Sequence, residues 1–149
     1  MNSNTSRYLL AYLLWFVSII LAFVNLLKWR SSAMILLGIT DWDRYLEHAL
    51  NQFGFLFLAI LGLVIIVFTE FYYRTGVEKS LLFKRFFLIT LIELVFLTLA
   101  DVAMVAGGII LDFFTPQSLV ILVVELGLCG IAFGLYRRTR SPEQPFSVN

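Results

Sequence analysis

The chain has 149 residues, of which 60% are hydrophobic and only 14% charged, against roughly 45–50% and about 25% in soluble domains. So few charges cannot cover the surface of a soluble monomer of this size, a single cysteine excludes a disulfide scaffold, and an aromatic content of 16% excludes a disordered chain. The net charge of +1 gives no long-range attraction to nucleic acid, which leaves an integral membrane protein.

In chain order, residues 8–27 form an uncharged run long enough to cross about 30 Å of hydrocarbon as a helix. Lys28, Trp29 and Arg30 follow it, where a signal peptide would carry small residues, so the run reads as a retained span. Next comes 31–39, too short to span and too apolar for a free loop. Thr40 with Asp43 three residues on is similar to a capping box. Trp42, Tyr45 and Leu46 then open a helical apolar stripe that continues through Ala49, Leu50 and Phe53. This predicts an interfacial helix over about 41–49, or an extension of the second span.

The second span covers about 50–72 and ends in Glu70, Phe71, Tyr72, Tyr73 and Arg74, an aromatic and basic ending suited to a membrane–water interface. The third covers about 86–106, with Gly107 and Gly108 after it. The fourth covers about 116–136, with Thr115 as N-cap, Pro116 at the first helical position, and Arg137, Arg138 and Arg140 beyond its end. The 141–149 tail, with Pro142 and Pro145, reads as short and mobile. The expected fold is therefore all-α: one domain over 1–149, a four-helix membrane bundle with an interfacial amphipathic helix in the first loop. Arg7, Arg74, Lys79, Lys84, Arg85, Arg137, Arg138 and Arg140 fall on one side, against Lys28, Arg30 and Arg44 on the other. The positive-inside rule then places both termini in the cytoplasm, in keeping with a bacterial inner membrane.

Acids inside a span are expensive and are functional candidates by default. Thr90, Glu93, Thr98 and Asp101 fall within an arc of about 140° on the third helix. Ser118, Glu125, Cys129 and Tyr136 share a face of the fourth, opposite Gly127, Gly130 and Gly134, of which the last two form a GxxxG. A milder stripe of Ala11, Trp15, Ser18, Ala22 and Asn25 marks the first. Measured from the cytoplasmic ends, Glu93, Glu125 and Asp101 lie about 10, 16 and 22 Å deep. With no base assigned to any span, the acids must be neutral, hydrogen-bonded to Thr and Ser, bound to a cation, or paired with a base on another chain. Two readings follow: a proton or cation path, or interhelical hydrogen-bond glue and partner docking. The glycine face is either an intramolecular packing surface or a partner interface.

His48 is the only histidine. It excludes a bis-histidine haem within the chain and leaves a zinc site without its usual ligands, so no metal or cofactor is expected. A solvent-facing role is the plainer reading, with room for a single pigment or lipid contact shared with a partner. Cys129 reads as packing rather than chemistry. Phosphate loops, HExxH, GxSxG and CxxC are absent, so an enzyme is not expected.

Thr69-Glu70-Phe71, Lys84-Arg85-Phe86-Phe87, Ile89-Thr90, Asp101, Thr115-Pro116 and the basic exit at 137–140 together resemble the small four-span phosphate-starvation-inducible PsiE family over roughly 69–140. The chain departs from that pattern in its first loop, and in carrying Glu93 near where the family tends to have a base. The resemblance implies a small inner-membrane protein of undefined biochemistry. The expected function is a non-catalytic accessory or assembly subunit of a larger membrane complex, in contact with lipid and with a protein partner or further copies of itself. The alternative is a self-assembling proton or cation channel using Glu93, Asp101 and Glu125.

Overall fold

The computed structural model describes residues 3–39, 43–112 and 114–139. They form four helices: α1 (Ser3–Ile39), α2 (Arg44–Glu78), α3 (Leu82–Ile110) and α4 (Pro116–Arg138), with no strand among the described residues. Each is long and apolar enough to cross a membrane. At 1.5 Å per residue, α1 and α2 are each more than 50 Å long, well beyond the roughly 30 Å that a bilayer core requires.

The helices run alternately up and down, so α1 and α3 are parallel. These two form the centre of the array. α2 packs chiefly on α1, and α4 packs on α3 alone among the described residues. The bundle is thus an open row, α2–α1–α3–α4, rather than a closed square. Its outer surface is almost wholly apolar side chains, including Phe16, Phe23, Phe57, Phe68, Val123 and Ile131.

A seven-residue repeat organises the centre. The buried positions Ala11, Ser18, Asn25 and Ser32 of α1 recur every two turns and hold one face against its neighbours. Small and polar residues at that seam let backbones approach and bond across helices, as helix pairs in lipid favour. Ser32 Oγ donates to the Ala100 carbonyl at 2.8 Å, and Asn25 Nδ2 donates to the Glu93 carbonyl at 3.0 Å. At the lower end, Ala11, Tyr73, Val77 and Leu82 form an apolar cluster flanked by Trp15 and Phe86. At the upper end, Gly107 lies against Ile35, whose Cγ2 would sit 2.3 Å from an added Cβ.

Several local features differ from the sequence reading. Residues 28–39 continue α1 without a break, since the segment lacks proline and its Gly38 falls at the end. Of the two alternatives for the first loop, residues 44–49 follow the second: they extend α2 and form no separate helix. Asp43 is the N-cap of α2, and Thr40 and Trp42 lie outside the described residues. Gly107 and Gly108 are buried within α3 instead of ending it. Thr115 does cap α4 with Pro116 behind it, although its hydroxyl bonds Ser118 Oγ (2.9 Å) rather than the helix backbone. The α2–α3 turn closes with Leu81 N–H on the Gly76 carbonyl (2.8 Å) and Ser80 N–H on the Val77 carbonyl (3.2 Å). That double bond is a Schellman motif, with Ser80 at φ 55° in the left-handed position that usually takes glycine.

Candidate functional site: a charged triad between three helices

Buried polar groups concentrate along the α1–α3 seam. Lowest is Ser18, whose hydroxyl bonds Tyr73 Oη of α2 at 2.8 Å, both residues being buried. The Glu93 carboxyl lies near that pair, with one oxygen, Oε2, buried and without a hydrogen-bond partner. Above it, Asn25 donates from Nδ2 to the carbonyls of Leu21 (3.1 Å) and Glu93, while its Oδ1 and the Trp29 Nε1 are also buried without partners. With Glu125 Oε2, four buried polar atoms among the described residues lack a partner, which marks a seam that is polar beyond what its own bonds satisfy.

At the upper end of this seam three helices each supply one charge-bearing side chain. Lys28 of α1 donates from Nζ to both carboxylate oxygens of Asp101 on α3, at 2.5 and 2.7 Å. Glu125 of α4 lies beside Asp101 within the field of Lys28. Asp101 and Glu125 are 4% and 6% exposed, which puts both carboxyls inside the protein, whereas the Lys28 side chain retains 28% exposure. One ammonium thus faces two carboxyl groups. The pair it makes with Asp101 is bidentate, and Glu125 Oε2 is left without a hydrogen-bond partner. Among the described residues α1 and α4 make no backbone contact, so the Asp101 carboxylate of α3 stands between Lys28 and Glu125.

The sequence-selected acids therefore separate into two groups. Asp101 and Glu125 come together, while Glu93 sits lower, on the Tyr73–Ser18 side. Thr98 is buried next to the triad, bonds the Leu94 carbonyl (2.9 Å) and approaches Cys129 Sγ at 3.6 Å. Thr90 is half-buried one turn below Glu93. Ser118 is taken up by the α4 cap, away from the acids. The glycines 127, 130 and 134 are exposed, and an added Cβ at any of them would meet nothing within 4 Å. Tyr45 is 86% exposed and Leu46 is exposed beside it, so neither belongs to the polar seam.

Lys28 was the residue that sequence reasoning missed. It follows an uncharged run and so reads as the flank of a span, yet α1 continues for eleven residues beyond it. A signal was available: the Ala11, Ser18, Asn25 spacing extends to Ser32, so the packed face runs past Lys28. Among the described residues no group of His, Cys, Asp and Glu is arranged to hold a metal ion. No protein-family model, no curated protein and no solved structure matches this chain.

Proposed function

We propose that the chain is a small, non-catalytic integral membrane protein that serves as an accessory or assembly subunit of a larger membrane complex. The carrying observation is the one-sided packing of α4. Among the described residues that helix rests on α3 alone, and it turns Gly127, Gly130 and Gly134 outward, where an added Cβ would meet nothing within 4 Å. A helix of another polypeptide can approach such a face more closely than lipid-facing Leu or Phe would allow. Cytoplasmic termini are supported by the basic bias of the α2–α3 turn and the C-terminal end, and the proposed setting is a bacterial inner membrane. It is also in keeping with the PsiE-like pattern over 69–140.

Purification in mild detergent at native expression level tests the proposal. A stoichiometric partner that is lost in Gly130→Leu and Gly134→Leu variants supports it. A free monomer with no companion overturns it. For the topology, single cysteines at Ser3, Ser80 and Ser147 in a Cys129→Ser background should all label from the cytoplasmic side.

A second reading, a proton or cation path, is favoured by the unpartnered Glu93 and Glu125 oxygens on the polar seam. Flux in proteoliposomes that disappears in Glu125→Gln, with folding retained, supports this reading. A protein that conducts nothing, or a variant that conducts as well as wild type, removes it.

A further inference from the structure

We infer that the cleft between α1 and α2 binds an anionic phospholipid, with the phosphate on Arg30 and the start of an acyl chain in the recess beside it. The inference takes membrane residence from the preceding section and is otherwise independent of the subunit proposal.

The cleft is a recess of about 70 Å³, open on one side and almost wholly apolar. Ala33 and Leu37 of α1 and Leu50, Gly54 and Leu58 of α2 line it. Gly54 leaves its floor open, since an added Cβ would meet nothing within 4 Å. That space suits a short run of methylene groups rather than a whole soluble ligand.

Two polar groups stand in this apolar lining, Arg30 and Asn51. The Arg30 guanidinium lies 4.6 Å from the centre of the Phe55 ring, a contact that uses none of its five N–H donors. Among the described residues no carboxylate pairs with it, and the ion pair nearest in sequence is that of Lys28 with Asp101. Arg44 and Glu47, on the turns of α2 beyond Asn51, carry opposite charges. Arg30 is thus an uncompensated cation with donors to spare, and a phosphate diester takes a guanidinium's paired N–H groups directly.

Depth selects a lipid as the source of that phosphate. Arg30 is about 14 Å, and Asn51 about 15 Å, from the midpoints of their helices, against a hydrocarbon half-thickness of about 15 Å. The uncharged run 8–27 ends three residues before Arg30, and the run 49–69 begins two residues before Asn51. Both polar groups therefore sit where headgroups begin, with the apolar recess alongside. Arg30 also lies at the end of the bundle opposite the basic α2–α3 turn, where the positive-inside bias gives it no role.

The test uses the delipidated full-length protein in mild detergent, titrated with phosphatidylglycerol, with phosphatidylcholine of the same chains, and with inorganic phosphate. Thermal unfolding and native mass spectrometry provide the readouts. Phosphatidylglycerol should raise the midpoint and be retained as a discrete adduct. Its preference over phosphatidylcholine should fall about tenfold or more in Arg30→Gln, the equivalent of one lost charge-assisted hydrogen bond. Gly54→Leu, which fills the recess without touching the cation, should weaken both lipids alike, and Arg138→Gln should change neither. An unaltered preference in Arg30→Gln, an unaltered affinity in Gly54→Leu, or an equal effect of inorganic phosphate would each overturn the site. Fractionation of wild type and Arg30→Gln with membranes reports separately on membrane residence.

Discussion

Lys28 Nζ lies 2.5 and 2.7 Å from the two carboxylate oxygens of Asp101, so a residue on α1 and one on α3, 73 positions apart, share a partly buried bidentate ion pair. Neither charge would be tolerated alone at this place. The pair sits about 14 Å below the end of α3, among apolar helices. Glu125 of α4 lies beside the same carboxylate, so two acids share the neighbourhood of one ammonium.

Removing one partner should therefore be costly and removing both much less so. Lys28→Met alone is expected to destabilise by about 3–5 kcal/mol, because it strands the buried Asp101 carboxylate, and Asp101→Leu by less, because the Lys28 side chain keeps 28% exposure. The Lys28→Met/Asp101→Leu double variant should be less destabilised than the sum by about 1–3 kcal/mol. Thermal or denaturant unfolding in detergent measures both, and strict additivity would show that the pair contributes nothing as a unit.

Gly107 offers a purely steric test of the α1–α3 contact. A Cβ there would stand 2.3 Å from Ile35 Cγ2, on a β-branched side chain with little freedom to move aside. Gly107→Ala should cost about 1–3 kcal/mol through overpacking, despite alanine's better helix propensity. Adding Ile35→Ala should relieve the clash, so that the double variant is more stable than the two single losses predict. Gly127→Ala, on the open face, should be neutral or stabilising in the isolated protein.

What was legible in the sequence was what depends on one segment at a time. Length and apolarity located all four helices, and the Thr115–Pro116 pair located the start of α4. Antiparallel α3 and α4 followed from a short connection. The residues that need two segments were not legible. Lys28 looks like a flank until Asp101 is seen opposite it, and Gly107 looks like a helix stop until Ile35 is seen filling the space. The parallel α1–α3 pairing was hidden for a related reason. Helices apolar on nearly every side carry little periodic contrast, so hydropathy does not say which face meets a neighbour. The seven-residue run of small and polar residues does, but only once α1 is known to reach Ser32.

The α2–α3 turn predicts a stabilising change. Ser80 holds φ 55°, a region that costs a residue bearing a Cβ roughly 1 kcal/mol and glycine nothing. Its N–H is already engaged by the Val77 carbonyl, and glycine keeps that bond. Ser80→Gly should raise stability by about 0.5–1 kcal/mol, less any gain in unfolded-chain entropy. A fall in the unfolding midpoint would mean that the Ser80 side chain makes a contact outweighing the strain.

Arg85 closes the same turn from the α3 side, and its role depends on the shape of its head group rather than on charge alone. Its Nη1 donates to the Tyr72 carbonyl at 2.5 Å and to Thr75 Oγ1, and its Cζ lies 4.3 Å from the Tyr72 ring centre. The aliphatic stem passes over Gly76, where an added Cβ would meet Arg85 Cδ at 2.9 Å. One side chain thus ties the last turns of α2 to the first turn of α3. Lysine keeps the charge but not the planar fork, so it cannot serve carbonyl, hydroxyl and ring face together. Arg85→Lys should therefore lose most of what Arg85→Ala loses, about 1–3 kcal/mol. Arg74→Lys, exposed on the outside of α2, should stay within about 0.5 kcal/mol of wild type. Gly76→Ala should fall between them, because the flexible stem can shift but must give up part of its hydrogen bonding. Unfolding midpoints for the four variants in one detergent give the ranking, and an Arg85→Lys protein as stable as wild type would reduce the latch to a simple charge effect.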